Sequence, residues 1–213
     1  LLWYALLQAT SIAYPVQPVV AMACRELPKG SNHLDFGSGV GTTSQLFAGL
    51  GFHSTLADVS TSMLDFAQYR LSRRGTVAEY VDLTQRELPL GEYDVITAID
   101  TLVHVPDLAD TVASLHRALR PGGVLFANFD VRPPSLENAP HLYSDDRPLR
   151  WLLHRAGFEP VEVLDGYITR YRRVEPTGPM AAYRAVRDYA VLRSPLRPAY
   201  RTVRRFTRSV SRS

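Results

Sequence analysis

His33-Leu34-Asp35-Phe36-Gly37-Ser38-Gly39-Val40-Gly41-Thr42 is the stretch from which the rest of the chain can be read. Its apolar start suits a short buried strand, and its glycines suit a turn that delivers the chain into a helix. Gly37, Gly39 and Gly41 admit positive φ and carry no side chain, so a ligand can lie directly against backbone N–H groups at a helix start. The spacing departs from the dinucleotide fingerprint G-x-G-x-x-G. Its last glycine would fall at position 42, where Thr42 stands, and this disfavours NAD. Asp35 adds a charge argument, because a carboxylate at the strand's end repels a pyrophosphate and attracts a cationic ligand.

S-adenosylmethionine, with its sulfonium and ammonium, has that charge. Leu34 to Gly41 resembles the first motif of the class I S-adenosylmethionine-dependent methyltransferases, in which an acid ending a strand is followed by G-x-G-x-G. The resemblance extends over about residues 31 to 173. It implies an α/β, Rossmann-like fold: a doubly wound, seven-stranded, mostly parallel sheet with the last strand antiparallel and helices on both faces.

Length and composition agree with one such domain plus extensions. A chain of 213 residues is long enough for a substantial α/β core and short for two. With 46% hydrophobic and 21% charged residues, wholesale disorder is set aside. The single cysteine, Cys24, excludes an internal disulfide framework and a cysteine zinc cluster, and suits a reducing cytoplasm. No apolar run approaches the roughly 18 residues that span a bilayer. The expected division is an N-terminal helical cap over 1–30, the methyltransferase-like domain over 31–175 and a basic extension over 176–213. From Arg184 to Ser213 there are nine arginines and one acid, Asp188, about +8 against a net +3 for the whole chain.

Along the chain, residues 1–30 read as two helices broken at Tyr14-Pro15, the second running from Val16 to Leu27. After the glycine turn, a helix over Thr42 to Leu50 is followed by a buried strand, Ser54 to Ala57, ending at Asp58. Ser60 and Thr61 offer caps for the next helix. Strands are then expected over Val77 to Val81, Tyr93 to Ile99 and Val124 to Asp130. Leu108, Val112, Leu115 and Leu119 form the apolar stripe of a crossover helix. Arg132 to Asp146 is a Pro-rich loop of the length found in lids and substrate contacts. A helix over Leu149 to Ala156 stops at Gly157, and Val161 to Leu164 with Tyr167 to Arg172 read as a hairpin turning at Asp165-Gly166.

The resemblance also implies site roles. The turn residues Gly37, Ser38, Gly39 and Gly41 would bind the cofactor, with the Asp35 carboxylate attracting its positive charge. Asp58, with Val59 and Met63 of a D-x-S-x-x-M-L segment, would hold the ribose. Asp82 and the N–H of Leu83 would read the adenine edge, and the carbonyl of Ile99 or Asp100 would take the ammonium. Tyr4 or Tyr14 would close over the methionine end. Asp100 to Asp107 resembles the family's fourth-strand segment L-x-H-V-P-D, which places His104 beside the acceptor.

Methyl transfer from a sulfonium is an in-line displacement that rests mainly on holding two partners in contact. A hydroxyl acceptor benefits from a base with a pKa near neutrality, and His104 supplies one, with His141 as a second candidate. The acceptor expected is a small metabolite, lipid or sugar-type molecule, at oxygen ahead of nitrogen or carbon. DNA base methylation is disfavoured: the D/N-P-P-Y/F loop is absent from Asp100-Thr101-Leu102-Val103, and Cys24 precedes the fold. No histidine or carboxylate cluster has convincing metal-ligand spacing. The competing reading is a non-catalytic cofactor-binding or tethering subunit. The basic tail adds an expected partner, an anionic membrane surface or an acidic protein, and with it a cytoplasmic chain peripheral to a membrane.

Overall fold

The computed structural model describes residues 16–129, 141–175 and 179. The first expected helix, with Tyr4 and Tyr14, lies outside them, as do the core of the Pro-rich loop and the arginine-rich tail.

The described elements run in this order: α1 (Val16–Ala23), β1 (Asn32–Phe36), α2 (Thr42–Gly49), β2 (His53–Asp58), α3 (Thr61–Ser72), β3 (Glu79–Asp82), β4 (Tyr93–Ala98), a 3-10 turn (Leu102–His104), α4 (Leu108–Ala118), β5 (Leu119–Ala127), α5 (Arg147–Arg155), β6 (Phe158–Leu164) and β7 (Ile168–Arg173). They build one seven-stranded sheet in the order β3-β2-β1-β4-β5-β7-β6. β1 pairs in parallel with both β2 and β4, β3 with β2 and β5 with β4, while β7 runs antiparallel between β5 and β6. The expected fold class is therefore observed.

Strand alternation sorts the core into two faces. Leu34, Phe36, Ile96, Ala98, Leu125 and Ala127 pack with Leu108, Val112 and Leu115 of α4 and with Leu149 and Leu153 of α5. On the opposite face, Val95, Val124 and Phe126 meet Val20, Ala21 and Cys24 at the α1 end and Phe47 of α2. Leu56 of β2 is covered by Leu64, Ala67 and Leu71 of α3. Local chemistry fixes the helix starts: the Ser60 side chain accepts from the Met63 N–H at 3.4 Å, the Asp107 side chain from the Asp110 N–H at 3.2 Å, and Pro148 opens α5.

Several boundaries differ from the sequence reading. α1 ends at Ala23 rather than Leu27, with turns taking over ahead of Pro28. β3 begins at Glu79, leaving Val77 90% exposed. β5 begins at Leu119 because that residue pairs with Tyr93 before Arg120-Pro121-Gly122-Gly123 makes an excursion, and regular pairing resumes at Val95 with Val124. β5 ends at Ala127, short of the expected Asp130. At the β6–β7 turn, Asp165 (φ 47°) and Gly166 (φ 71°) are both left-handed, as a tight hairpin requires.

Chain connections leave β1 in one direction across the sheet, toward β2 and β3, and leave β4 in the other, toward β5. A crevice at the carboxyl ends of β1 and β4 is the consequence of that reversal.

Candidate active site

That crevice is a cavity of about 1000 Å³. Its wall includes Gly37 and Gly39 after β1, Asp58, Val59 and Met63 after β2, Leu83 after β3, and Ile99, Asp100, Thr101 and His104 after β4.

The glycine turn is shaped by close approach. Gly37, Gly39 and Gly41 have φ of 70°, 51° and 74°. A Cβ on Gly37 would stand 2.2 Å from Thr101 Cγ2, so the β1 turn and the β4 end touch there. A Cβ on Gly41 would stand 2.7 Å from Leu56 Cδ2, which makes Gly41 a packing position beneath the turn rather than part of the cavity wall.

Asp58 is held in place by backbone donors. Its Oδ2 accepts from the Gly39 N–H at 3.0 Å and its Oδ1 from the Ser60 N–H at 2.9 Å. Each oxygen keeps a second lone pair for a hydroxyl donor.

Asp35 has a different setting from the one its motif suggested. It is 3% exposed, and Oδ2 accepts from the Ser44 N–H at 3.2 Å and the Ser44 hydroxyl at 3.0 Å, while Oδ1 accepts from Thr97 Oγ1 at 3.1 Å. Burial pushes its carboxyl up to about 7, against the lowering effect of those bonds. Asp35 thus ties the start of α2 to β4 and does not line the cavity. Next to Thr97 lies His33, whose Nε2 stands 2.9 Å from Thr97 Oγ1 and Nδ1 3.1 Å from Ser54 Oγ, with its ring stacked on Phe47 at 3.8 Å. The Ser54 hydroxyl also donates to the Ser44 carbonyl at 3.3 Å, so His33, Ser54, Thr97 and Asp35 form one buried polar network. Burial lowers this imidazole to about 3, so it is neutral.

The Leu83 N–H and one oxygen of Asp82 are engaged within the protein. The Leu83 N–H donates to the Asp58 carbonyl at 3.0 Å, which extends the β2–β3 ladder and occupies the donor assigned to the adenine edge. Asp82 lies off the cavity wall, and its Oδ1 accepts from the Thr84 N–H at 2.8 Å and the Thr84 hydroxyl at 2.6 Å. Ser38 also lies off the wall, buried, with a hydroxyl that has no hydrogen-bond partner.

Asp100 is exposed and lines the cavity, with a left-handed φ of 52° that is uncommon outside glycine. Such a backbone costs on the order of 1 kcal/mol and persists only where its surroundings enforce it. Asn128, 1% exposed at the end of β5, does so: its Oδ1 accepts from the Asp100 N–H at 2.7 Å, and its Nδ2 donates to Asp100 Oδ1. The Tyr167 hydroxyl, from the β6–β7 turn, donates to the same Oδ1 at 2.8 Å. Sequence reasoning missed Asn128 and Tyr167. A buried asparagine closing an apolar parallel strand was the available signal for the first; none existed for the second.

His104 closes the 3-10 turn with its N–H donating to the Thr101 carbonyl at 2.9 Å. The structure brings the two candidate bases together: the His104 and His141 rings meet edge to face at 4.9 Å. The backbone explains it, since the Leu142 N–H donates to the Val103 carbonyl at 2.8 Å and the Tyr143 hydroxyl reaches the Val105 carbonyl at 2.9 Å. Cys24, by contrast, is buried, its thiol pushed up to about 12 and unsuited to nucleophilic work. Among the described residues, no three histidine, cysteine or acidic side chains gather as a metal site, and no helix is long and apolar enough to cross a membrane.

Residues 34–125 match a family model described as a methyltransferase domain. An Aromatoleum aromaticum protein named ubiquinone biosynthesis O-methyltransferase is 37% identical over 100 residues, 46% of this chain and 43% of that one. Its Pseudomonas aeruginosa namesake is 33% identical over 109 residues, 49% of this chain and 47% of that one. The chain spans less than half the length of these curated relatives. Among solved structures, Burkholderia thailandensis 1,6-didemethyltoxoflavin-N1-methyltransferase, with 1,6-didemethyltoxoflavin and S-adenosylhomocysteine bound, superposes with a TM-score of 0.59. That match has 22% identity and covers 74% of this chain and 77% of that one, a likeness of fold.

Proposed function

We propose that the chain, which resembles the class I S-adenosylmethionine-dependent methyltransferases and matches a methyltransferase-domain model over residues 34–125, transfers a methyl group from that cofactor to a small-molecule acceptor at oxygen. The observation that carries this reading is the composition of one cavity wall. A side-chain-free glycine turn, an anchored carboxylate at Asp58 and a histidine at His104 all face the same space. The first two suit a nucleoside with a charged tail, and the third suits an acceptor that must lose a proton.

In this reading the backbone at Gly37 and Gly39 receives the methionine portion, and Asp58 accepts from the ribose hydroxyls, with Val59 and Met63 beside it. Ile99 and Asp100 lie toward the ammonium. Asp35, Ser38, Gly41 and Asp82 shape the loops that present these groups, and Leu83 contributes its side chain to the wall. The bound cofactor supplies an electrophilic methyl group on a cationic sulfur. His104 takes the acceptor's hydroxyl proton at a ring nitrogen as the oxygen becomes nucleophilic, a contribution worth about 10² to 10⁴ in rate. Relatives named as O-methyltransferases support oxygen as the acceptor atom. Residues 1–30 act as a cap and 176–213 as a basic extension of a cytoplasmic protein. Their nine arginines after Pro179 suit an anionic membrane surface that bears the acceptor.

Calorimetry with S-adenosylhomocysteine and with NADH tests the cofactor, and transfer of radioactive methyl into metabolite fractions tests the reaction. S-adenosylhomocysteine binding without NADH binding, followed by labelled product, is expected. Tight NADH binding would overturn the cofactor assignment, and cofactor binding with no labelled product in any fraction would favour the tethering role. For the tail, salt-sensitive association with anionic liposomes that disappears when 180–213 are deleted is expected; no association at low ionic strength removes the membrane from this picture.

A further inference from the structure

Residues 141–143 are fastened, one after another, to the segment that carries His104. The His141 ring meets the His104 ring at 4.9 Å with 68° between the planes, and the Leu142 N–H donates to the Val103 carbonyl at 2.8 Å. The Tyr143 hydroxyl donates to the Val105 carbonyl at 2.9 Å and stands 3.2 Å from that of Pro106, while its ring packs on the core. A little further on, Asp146, 6% exposed, takes the Arg150 side chain at 2.7 Å and ties this stretch to α5. His141 is thus set against His104 by the tertiary fold. His104 lines the cavity, and His141 touches it without being part of that wall.

The His141 ring also carries a polar atom that its packing does not use. Its Nδ1 is buried and has no hydrogen-bond partner among the described residues. Such a nitrogen has given up its bond to water and gained none in return. His33 and His116 make the contrast: His33 has a partner on each ring nitrogen, and His116 Nε2 stands 3.3 Å from the Val174 carbonyl. Those two serve the frame of the sheet. His141 differs in keeping a bare nitrogen and in abutting a side chain of the cavity wall.

A histidine that takes a proton on one ring nitrogen becomes a cation with an N–H on the other, and an acceptor for that second N–H holds the ring in place. A neutral imidazole with a bare nitrogen is such an acceptor. With the ring centres 4.9 Å apart, a turn of either ring about χ2, a soft torsion, brings two ring nitrogens within hydrogen-bond distance. Resting on the reading of His104 as the base, we propose that His141 is its positioning residue: His141 Nδ1 accepts the N–H on the His104 nitrogen turned away from the acceptor. The bond fixes which His104 nitrogen is bare before transfer and holds the imidazolium after it. The proton that leaves the acceptor's hydroxyl sits on His104, which then carries the positive charge the cofactor loses with its methyl group, and passes from there to water. His141 stays neutral, with its own proton on Nε2 throughout.

The test is long-range ¹H–¹⁵N NMR of the histidine side chains in the full chain, labelled at histidine and with S-adenosylhomocysteine bound, at about pH 8.5, well above the pKa of an ordinary imidazole. The spectra show which ring nitrogens carry protons, and His104→Gln and His141→Gln assign the signals. In the parent, His104 should show a single tautomer and His141 a proton on Nε2. His141→Phe keeps a ring for the packing and removes the nitrogen; His104 should then lose its single-tautomer pattern, and His141→Asn, whose side-chain oxygen reaches about where Nδ1 stands, should restore it. Should His141→Phe fail to fold, His141→Leu carries the same reading. A His104 pattern that is the same with and without the His141 nitrogen, or one already mixed in the parent, overturns the proposal. In labelled methyl transfer, His141→Phe should lower kcat by about tenfold with KM nearly unchanged, a smaller loss than that of His104→Ala; an unchanged kcat beside a lost tautomer overturns its part in the reaction. The spectra need no acceptor, so they decide the bond between the two rings separately from whether His104 is the base, which the turnover of His104→Ala decides.

Discussion

Asp35 stands one residue before the end of β1, and Asp100 two residues past the end of the neighbouring β4. One carboxylate is 3% exposed and bonded on both oxygens inside a closed polar network; the other is exposed on the cavity wall with its donors gathered on one oxygen. The same side chain is bound into the fold in the first case and faces the cavity in the second, three residues beyond the Thr97 that pairs with Asp35. What separates them is burial and how the donors are shared between the two oxygens. Asp35 shares its face with His33 and Thr97 under α2, where all three are buried and an unmet polar group is costly.

The largest expected effect breaks the network. Asp35→Ala leaves the Ser44 N–H, the Ser44 hydroxyl and the Thr97 hydroxyl without their acceptor in a dry site, and should cost about 3 kcal/mol in urea unfolding. Asp100→Asn in the same assay should stay within about 0.5 kcal/mol. Equal losses would erase the distinction between the two acids.

On the cavity side, His104→Ala should lower turnover by about 10² or more with S-adenosylhomocysteine affinity nearly unchanged. Turnover that survives with the native acceptor would remove His104 from the proton transfer. A somewhat smaller effect is expected from Asp58→Ala, which should weaken S-adenosylhomocysteine by about 2 kcal/mol in calorimetry, the scale of hydrogen bonds to a charged acceptor. The two variants sharpen the comparison from within the site: one should move rate and the other affinity.

The same contrast governs what was legible in the sequence. The glycine turn, the apolar strands and the stripe of α4 were readable because each is a local pattern with a local cause: positive φ, burial on both faces, a 3.6-residue period. Candidate residues Gly37, Gly39, Asp58, Asp100 and His104 share one cavity wall because they follow strand ends or form the turn itself. Whether an acid at a strand's end serves the fold or the cavity was not readable. Asp35 finds Thr97 across 62 residues and Asp100 finds Tyr167 across 67, and no periodicity encodes such pairs. The Leu83 N–H was unreadable for a related reason, since it joins a ladder whose last bond depends on where β3 stops.

A final prediction concerns pH, because the network holds two groups shifted in opposite senses. The Asp35 carboxyl is raised from 3.8 to about 7, so between those values the folded state binds more protons than the unfolded one, and stability from this group is lost as pH rises. The His33 imidazole is lowered from 6.5 to about 3, so below 6.5 the unfolded state binds more protons, and stability is lost as pH falls. From about pH 4 to 6.5 the two slopes oppose each other and largely cancel. Asp35→Asn removes one of them while keeping an oxygen for Ser44; its amide can donate to Thr97 Oγ1, whose proton then turns to the Leu34 carbonyl, 3.4 Å away. The difference in unfolding free energy, variant minus parent, cancels the titrations the two proteins share. It should therefore rise by about 2 to 3 kcal/mol in the variant's favour between pH 4.5 and 7, at most about 1.4 kcal/mol per pH unit for one proton. A difference that stays flat across that range would mean that Asp35 titrates as an ordinary carboxylate, and its burial would no longer distinguish it from Asp100.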